Sequence, residues 1–176
     1  GSAGLKDSSK LRLYFYDDNT QIREILSGAA VQNWNFTIPA NTIDTVTAST
    51  DPSDLPINVS VLSVFPHMHL IGKSIESFAV TPNNDTVKFA RINEWDFDWK
   101  EFLFFRYIKK VPANSTIQGI GTYDNTSNNH HNPNNPPIDI SAGLNTTDEM
   151  FLVYFHSALY FQGDEYLSLD SLTHEF

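Results

Sequence analysis

A chain of 176 residues is long enough to bury one hydrophobic core and gives no case for two. Its net charge of −10 and pI near 4.8 oppose phosphate backbones and anionic membrane surfaces, which argues against nucleic-acid binding; the only basic cluster is "RYIKK" at 106–110. The absence of cysteine removes disulfides, CxxC redox motifs, thiolate metal sites and cysteine nucleophiles together, and no apolar run approaches the roughly 20 residues of a membrane-spanning helix.

Residues 1–8 read as linker, 9–163 as the domain and 164–176 as a C-terminal tail. Strand-like alternation begins at "LRLYFY" (11–16). "NTQIREILSG" (19–28) follows, with Ile22, Ile25 and Leu26 on one face and Gly28 placed to cap the end, so it reads as a helix of barely two turns in a connection. From there β-branched and aromatic residues dominate the segments 33–38, 42–48, 57–65, 74–80, 101–108, 115–123 and 150–161. Turn signals separate them: "PAN" at 39–41, "DPSDLP" at 51–56, "PNND" at 82–85 and "PANS" at 112–115. Many short strands with this punctuation predict an all-β fold, an antiparallel sandwich or jelly roll. "DNTSNNHHNPNNPPID" (124–139) is too rich in proline for an interior strand and reads as a long, solvent-exposed loop. Sequons at Asn35, Asn58, Asn84, Asn114, Asn125 and Asn145 arise by chance in a chain so rich in Asn, Ser and Thr, and carry no argument.

The chemistry concentrates in "FPHMHLIGKSI" (65–75). If 57–70 is one strand, Val59, Val61, Ser63, Phe65, His67 and His69 share a face, and the two histidine Cα atoms lie about 7 Å apart, close enough for both rings to reach one ion. The same pair also reads as two surface or core histidines, and a metal site needs a third ligand. Met150 opens the long apolar segment 150–161; Met68, the only other methionine, sits between the histidines and points away from them. Alone, Met150 is core filler. Combined with His67 and His69 it makes a soft site with an open position, which favours copper, Cu(I) especially, and suits dioxygen as a ligand. His130 and His131 are adjacent and so diverge, His156 has the parity of Met150, Leu152 and Tyr154 and reads as a hydrogen-bonded sandwich histidine, and His174 lies in the tail.

Four segments occur in the order "FPHMHLIGKSI", "WDFDWKEFLFF" (95–105), "TYDNTSNNHHNPNNPP" (122–137) and "GLNTTDEM" (143–150). In this order the chain resembles the carboxy-terminal domain of the copper type II, ascorbate-dependent monooxygenases from residue 9 to about 161. The resemblance is closest to bacterial members; peptidylglycine α-hydroxylating monooxygenase and dopamine β-monooxygenase are the animal relatives. It implies a jelly-roll β-sandwich, copper ligated by His67, His69 and Met150, ascorbate as reductant, and hydroxylation of a C–H bond of a small molecule with dioxygen. Tyr154 matches a substrate-contacting tyrosine of the peptide-hydroxylating branch. The arginine and asparagine that hold a peptide carboxylate in that branch are Phe65 and Leu152 here, which argues against peptidylglycine and for an apolar substrate surface of Phe65, Leu152 and Tyr154. The resemblance further implies an exported protein, secreted or periplasmic, and a partner: the N-terminal electron-transfer copper domain of the same parent chain, without which this domain is expected to be incomplete for turnover. Two rival readings use the same residues differently. One is a copper-binding module without enzymatic activity; the other is a sandwich that binds glycan or protein through the 124–139 loop or through Trp95 and Trp99.

Overall fold

The computed structural model describes residues 8–15, 17–20 and 22–170. Its strands are β1 (Leu26–Asn33), β2 (Thr37–Ile38), β3 (Ile43–Ser49), β4 (Val59–His67), β5 (Gly72–Val80), β6 (Thr86–Ile92), β7 (Leu103–Val111), β8 (Thr116–Asp124), β9 (Ile140–Ser141) and β10 (Phe151–Leu159). Short 3-10 turns occupy Pro52–Asp54 and Asp164–Tyr166. Two four-stranded sheets, in the orders β1-β10-β4-β7 and β3-β8-β5-β6, are antiparallel throughout, and β2 pairs only with β9. With that small pair set aside, the chain is one long hairpin whose tip is the β5–β6 turn. First pairs with last (β1–β10), then β3 with β8, β4 with β7 and β5 with β6, and the whole is folded over into two layers. That is the jelly-roll path, and the all-β antiparallel expectation is met. No helix among the described residues is long and apolar enough to cross a membrane.

The layers meet on alternate residues. Val31, Val61, Val64, Phe151, Val153 and Phe155 come from one sheet, and Val46, Ile75, Ala79, Phe89 and Tyr123 from the other. The Phe89 and Phe155 rings cross between them at 5.2 Å and 70°, an edge-to-face contact that aromatic quadrupoles favour. Gly121 on β8 makes the close approach possible, since a Cβ there would stand 2.8 Å from the Phe151 ring and 3.2 Å from the Met68 sulfur.

Three local expectations are corrected. Residues 11–15 are exposed and form no strand, with Tyr16 outside the described residues. The helix expected over 19–28 does not exist in its described part: residues 22–25 are irregular and Leu26 opens β1. Three or four apolar residues at helical spacing lose here to the ladder that β1 gains against β10. Third, β4 does not alternate evenly. The register breaks between Val61 and Ser63 against β7, and between the partners His156 and Ser157 on β10, so Leu62 is an extra residue. Such a bulge flips the parity beyond it. Val59 and Val61 face the core with Val64 and Met68, while Ser63, Phe65 and His67 take the opposite face of the sheet, Ser63 buried there against His156. The single shared face predicted for 59–69 is therefore two faces.

At the far end of the chain, residues 164–168 belong to the packed unit: Asp164 is buried, Ile108 N–H donates to Leu167 O at 3.4 Å, and Ser168 bridges to Tyr107 on β7. The 124–139 loop is ordered by its asparagines. Asn125 is fully buried and its amide nitrogen donates to the carbonyls of Ile38, Pro39 and Ile138 while its oxygen accepts from Asn132. Backbone groups that proline keeps out of a ladder are met by side-chain amides instead.

Candidate metal centre

His67 is the last residue of β4, and His69 follows in the turn that leads to β5. Their rings lie 5.2 Å apart, centroid to centroid, and nearly perpendicular at 87°. His69 is held at its backbone N–H, its carbonyl and one ring nitrogen. Its N–H donates to Glu149 Oε2 at 2.8 Å, its ring Nδ1 donates to Asp148 O at 3.0 Å, and its carbonyl accepts from Trp95 Nε1 at 3.2 Å. With the Nδ1 proton committed to a carbonyl, the neutral ring keeps its lone pair on Nε2. The Phe97 ring adds an edge contact at 5.8 Å. Trp95 can come this close because position 72 is glycine: a Cβ there would fall 2.7 Å from the indole.

His67 is less satisfied. It stacks on Phe65 at 5.9 Å and 17°, and its Nδ1 is buried without a hydrogen-bond partner. Burial first, then the neighbouring His69 and Lys100, holds its pKa down to about 4, so the ring is neutral near pH 7. A buried imidazole nitrogen with no partner is costly, and a bound metal ion is one group that removes the cost. Among the described residues no cluster of three or more His, Cys, Asp or Glu side chains suits a metal ion, so a third protein ligand for this pair has to be of another type.

Met150 is such a residue. It is half-buried and directly precedes β10. Leu152 is the Cα partner of His67 in the antiparallel ladder, so two steps back along one strand and two steps on along the other bring Met150 level with His69. Its carbonyl accepts from the Tyr123 hydroxyl at 2.8 Å and its N–H donates to Glu149 Oε2 at 3.2 Å. Glu149, 1% exposed, also accepts from Ile71 N–H through Oε1 at 2.8 Å. Burial pushes its carboxyl up to about 7, against the pull of its three N–H donors. Burial, with Glu149 beside it, also raises the Tyr123 hydroxyl above its ordinary value.

The residues expected on a substrate surface lie along the outer face of the same sheet. Phe65 and Tyr154 are Cα partners, and Tyr154 is 39% exposed. Leu152 shares their parity but is only 1% exposed, so it supports this face from beneath. Phe102 packs against Phe65 at 4.8 Å and stacks on His156 at 4.3 Å; His156 Nδ1 lies 3.0 Å from the Ser63 hydroxyl, the hydrogen-bonded role expected of it. His130 and His131 are exposed on the 124–139 loop. His131 lines a cleft of about 530 Å³ with Leu70, Trp95, Phe97 and Trp99, which none of His67, His69 and Met150 lines. His174 lies outside the described residues.

Sequence reading passed over Glu149, Trp95 as a hydrogen-bond donor, and the Asp148 carbonyl. Glu149 left at most a faint trace, an acidic residue two positions before the nine residues of β10, which says nothing of its partners.

Comparison with known families places residues 24–168 in a match to the family described as copper type II ascorbate-dependent monooxygenase, C-terminal domain. The match spans both His67–His69 and Met150, and it takes in residues 164–168, beyond the boundary expected at 163. No curated protein matches the chain.

Proposed function

Because the chain belongs to the copper type II ascorbate-dependent monooxygenase family as its C-terminal domain, we propose that its His67–His69–Met150 end is the catalytic copper site of an enzyme that hydroxylates a C–H bond. The family's metal is copper and its reductant ascorbate. Copper bound there supplies the one-electron redox chemistry through which dioxygen is used. The observation that carries the reading is the pair of perpendicular imidazoles 5.2 Å apart, one with a buried, unpartnered nitrogen and the other locked into a single tautomer.

The protein's own part is to hold donors and exclude competing ones. His67 is kept neutral by burial, so a proton does not compete for its lone pair near neutral pH. His69 is fixed by the Asp148 carbonyl, the kind of outer hydrogen bond that sets the orientation of a ligating imidazole. Phe65, Phe102 and Tyr154 form an apolar and partly exposed flank to His67. The flank residues themselves offer a carboxylate no cation, and the cation that acts on His67, Lys100, is engaged by the Phe97 ring and carbonyl, so the surface suits an apolar or aromatic C–H substrate. In this reading the second electron comes from an N-terminal copper domain of the parent chain.

The test is a copper titration read by X-ray absorption and electron paramagnetic resonance. One equivalent binds with imidazole ligation, and His67→Ala or His69→Ala weakens it by at least about tenfold, the size of effect produced even by losing an outer-shell partner. Spectra and affinity unchanged in both variants would sink the assignment.

A further inference from the structure

The β4–β10 ladder that positions the centre stops two residue pairs short of the level of His69 and Met150. Its last pair is Leu152 with His67, and neither His69 nor Met150 belongs to a strand. A single side chain continues the connection past that point. Glu149, 80 positions from His69 along the chain, takes the His69 N–H and the Met150 N–H on one carboxylate oxygen and the Ile71 N–H on the other. We propose that Glu149 is the positioning residue of the copper centre, its carboxylate setting the spacing between the segment that carries the histidines and the segment that carries the methionine.

Three features of the geometry support this. When ionised, the carboxyl is an acceptor only, so it meets three donors with no hydrogen pointing at any of them. It is buried, so water does not substitute for it. And its donors lie on both sides of the centre, at 2.8 and 3.2 Å on one oxygen, which makes it a crosslink between segments rather than a cap on one. The only other direct polar link described between the two segments is the bond from the His69 ring to Asp148 O, and Asp148 is the neighbour of Glu149. A Gln at 149 has the same shape but turns an NH₂ either toward the Ile71 N–H or toward the His69 and Met150 N–H pair, so one or two of the three bonds become donor–donor contacts.

The inference rests on copper binding at His67, His69 and Met150, and the experiment separates the two. The full chain, its Glu149→Gln variant and an Asp164→Asn control are titrated with Cu(I) against a competing chelator, with X-ray absorption for the sulfur contribution. Asp164 is a second buried carboxylate, at the other end of β10, so its loss tests whether instability alone weakens the site. The expected result is one Cu(I) in the wild type, affinity about 10- to 100-fold weaker in Glu149→Gln with a diminished sulfur signal, and wild-type affinity in Asp164→Asn. A folded Glu149→Gln with wild-type affinity and spectrum overturns the proposal, as does an equal loss in Asp164→Asn. A wild type that takes up no stoichiometric copper, or a His69→Ala variant that binds as tightly, overturns the site itself and this inference with it. Should Glu149→Gln not fold, amide exchange on the wild type decides. Cu(I) is expected to slow the Ile71, His69 and Met150 amides together while leaving Phe161, whose N–H is held by Asp164, unchanged; no slowing at Ile71 overturns the proposal.

Discussion

Glu149 and Asp164 flank the same strand, one just before β10 and one just after it, and both are almost wholly buried at 1% and 4% exposure. Their partners differ in kind. Glu149 is met by three backbone N–H groups and no cation, and burial pushes its carboxyl up to about 7. Asp164 is met by both Arg23 terminal nitrogens at 3.0 and 2.6 Å, by the Ser60 hydroxyl and by Phe161 N–H, and the Arg23 contact leads in drawing its pKa down to about 2. Burial alone therefore does not decide how a carboxylate behaves; the charge of what meets it does. The Arg23 end ties the segment before β1 to the segment after β10, a closure of the sandwich. The Glu149 end carries no closing ion pair and instead holds loop backbone where ladder bonds have stopped.

The widest difference should appear on truncation. Glu149→Ala strands two buried N–H donors and one partly buried one, and at about 1–3 kcal/mol for each unmet group a loss of about 4 kcal/mol is expected by urea unfolding, a large share of a domain's stability. Arg23→Ala leaves Asp164 without its cation, but the arginine side chain is 29% exposed, so water relieves part of the cost. A loss of about 2 kcal/mol is expected, below the range for a fully buried pair, with copper binding unchanged.

The pH dependence sharpens the contrast at the Asp164 end. Its folded pKa lies below the ordinary 3.8, so the stability it contributes is present above pH 3.8 and is lost as pH falls toward 2. The span corresponds to about 2 kcal/mol. Urea midpoints of the metal-free protein between pH 2 and 5 should show this limb in the wild type, and Asp164→Asn should flatten it. Smallest is Ser60→Ala, which removes one donor from a carboxylate that keeps its arginine. About 1 kcal/mol is expected, and a loss as large as that of Arg23→Ala would mean the hydroxyl, not the guanidinium, holds the site.

The long strands were legible because their alternation is strong and their turns are chemically marked. Segments 42–48, 57–65, 74–80 and 115–123 fall on β3, β4, β5 and β8. β1 was not, since "LSGAAVQN" carries small residues and only one buried valine among its core contacts, and its strand character comes from β10 rather than from itself. The His67–His69 pair was legible by spacing, but the face it occupies was not: Leu62 looks like any other apolar residue until two ladders disagree about its partner. Glu149 was illegible for a different reason. A glutamate in a loop is ordinarily solvated, and nothing local says that the His69 and Ile71 amides, 80 and 78 positions away, converge on it together with that of its neighbour Met150.

The pairing of first strand with last has a consequence for how this unit can be built into other proteins. Leu26 stands opposite Ser157, so entry and exit share one flank, and a gene reopened at the Thr81–Asp85 turn with a short bridge joining the old ends should still encode every ladder. For the same reason, the sandwich can be inserted into a host loop as a cassette, leaving the His67 edge uncovered at the opposite rim.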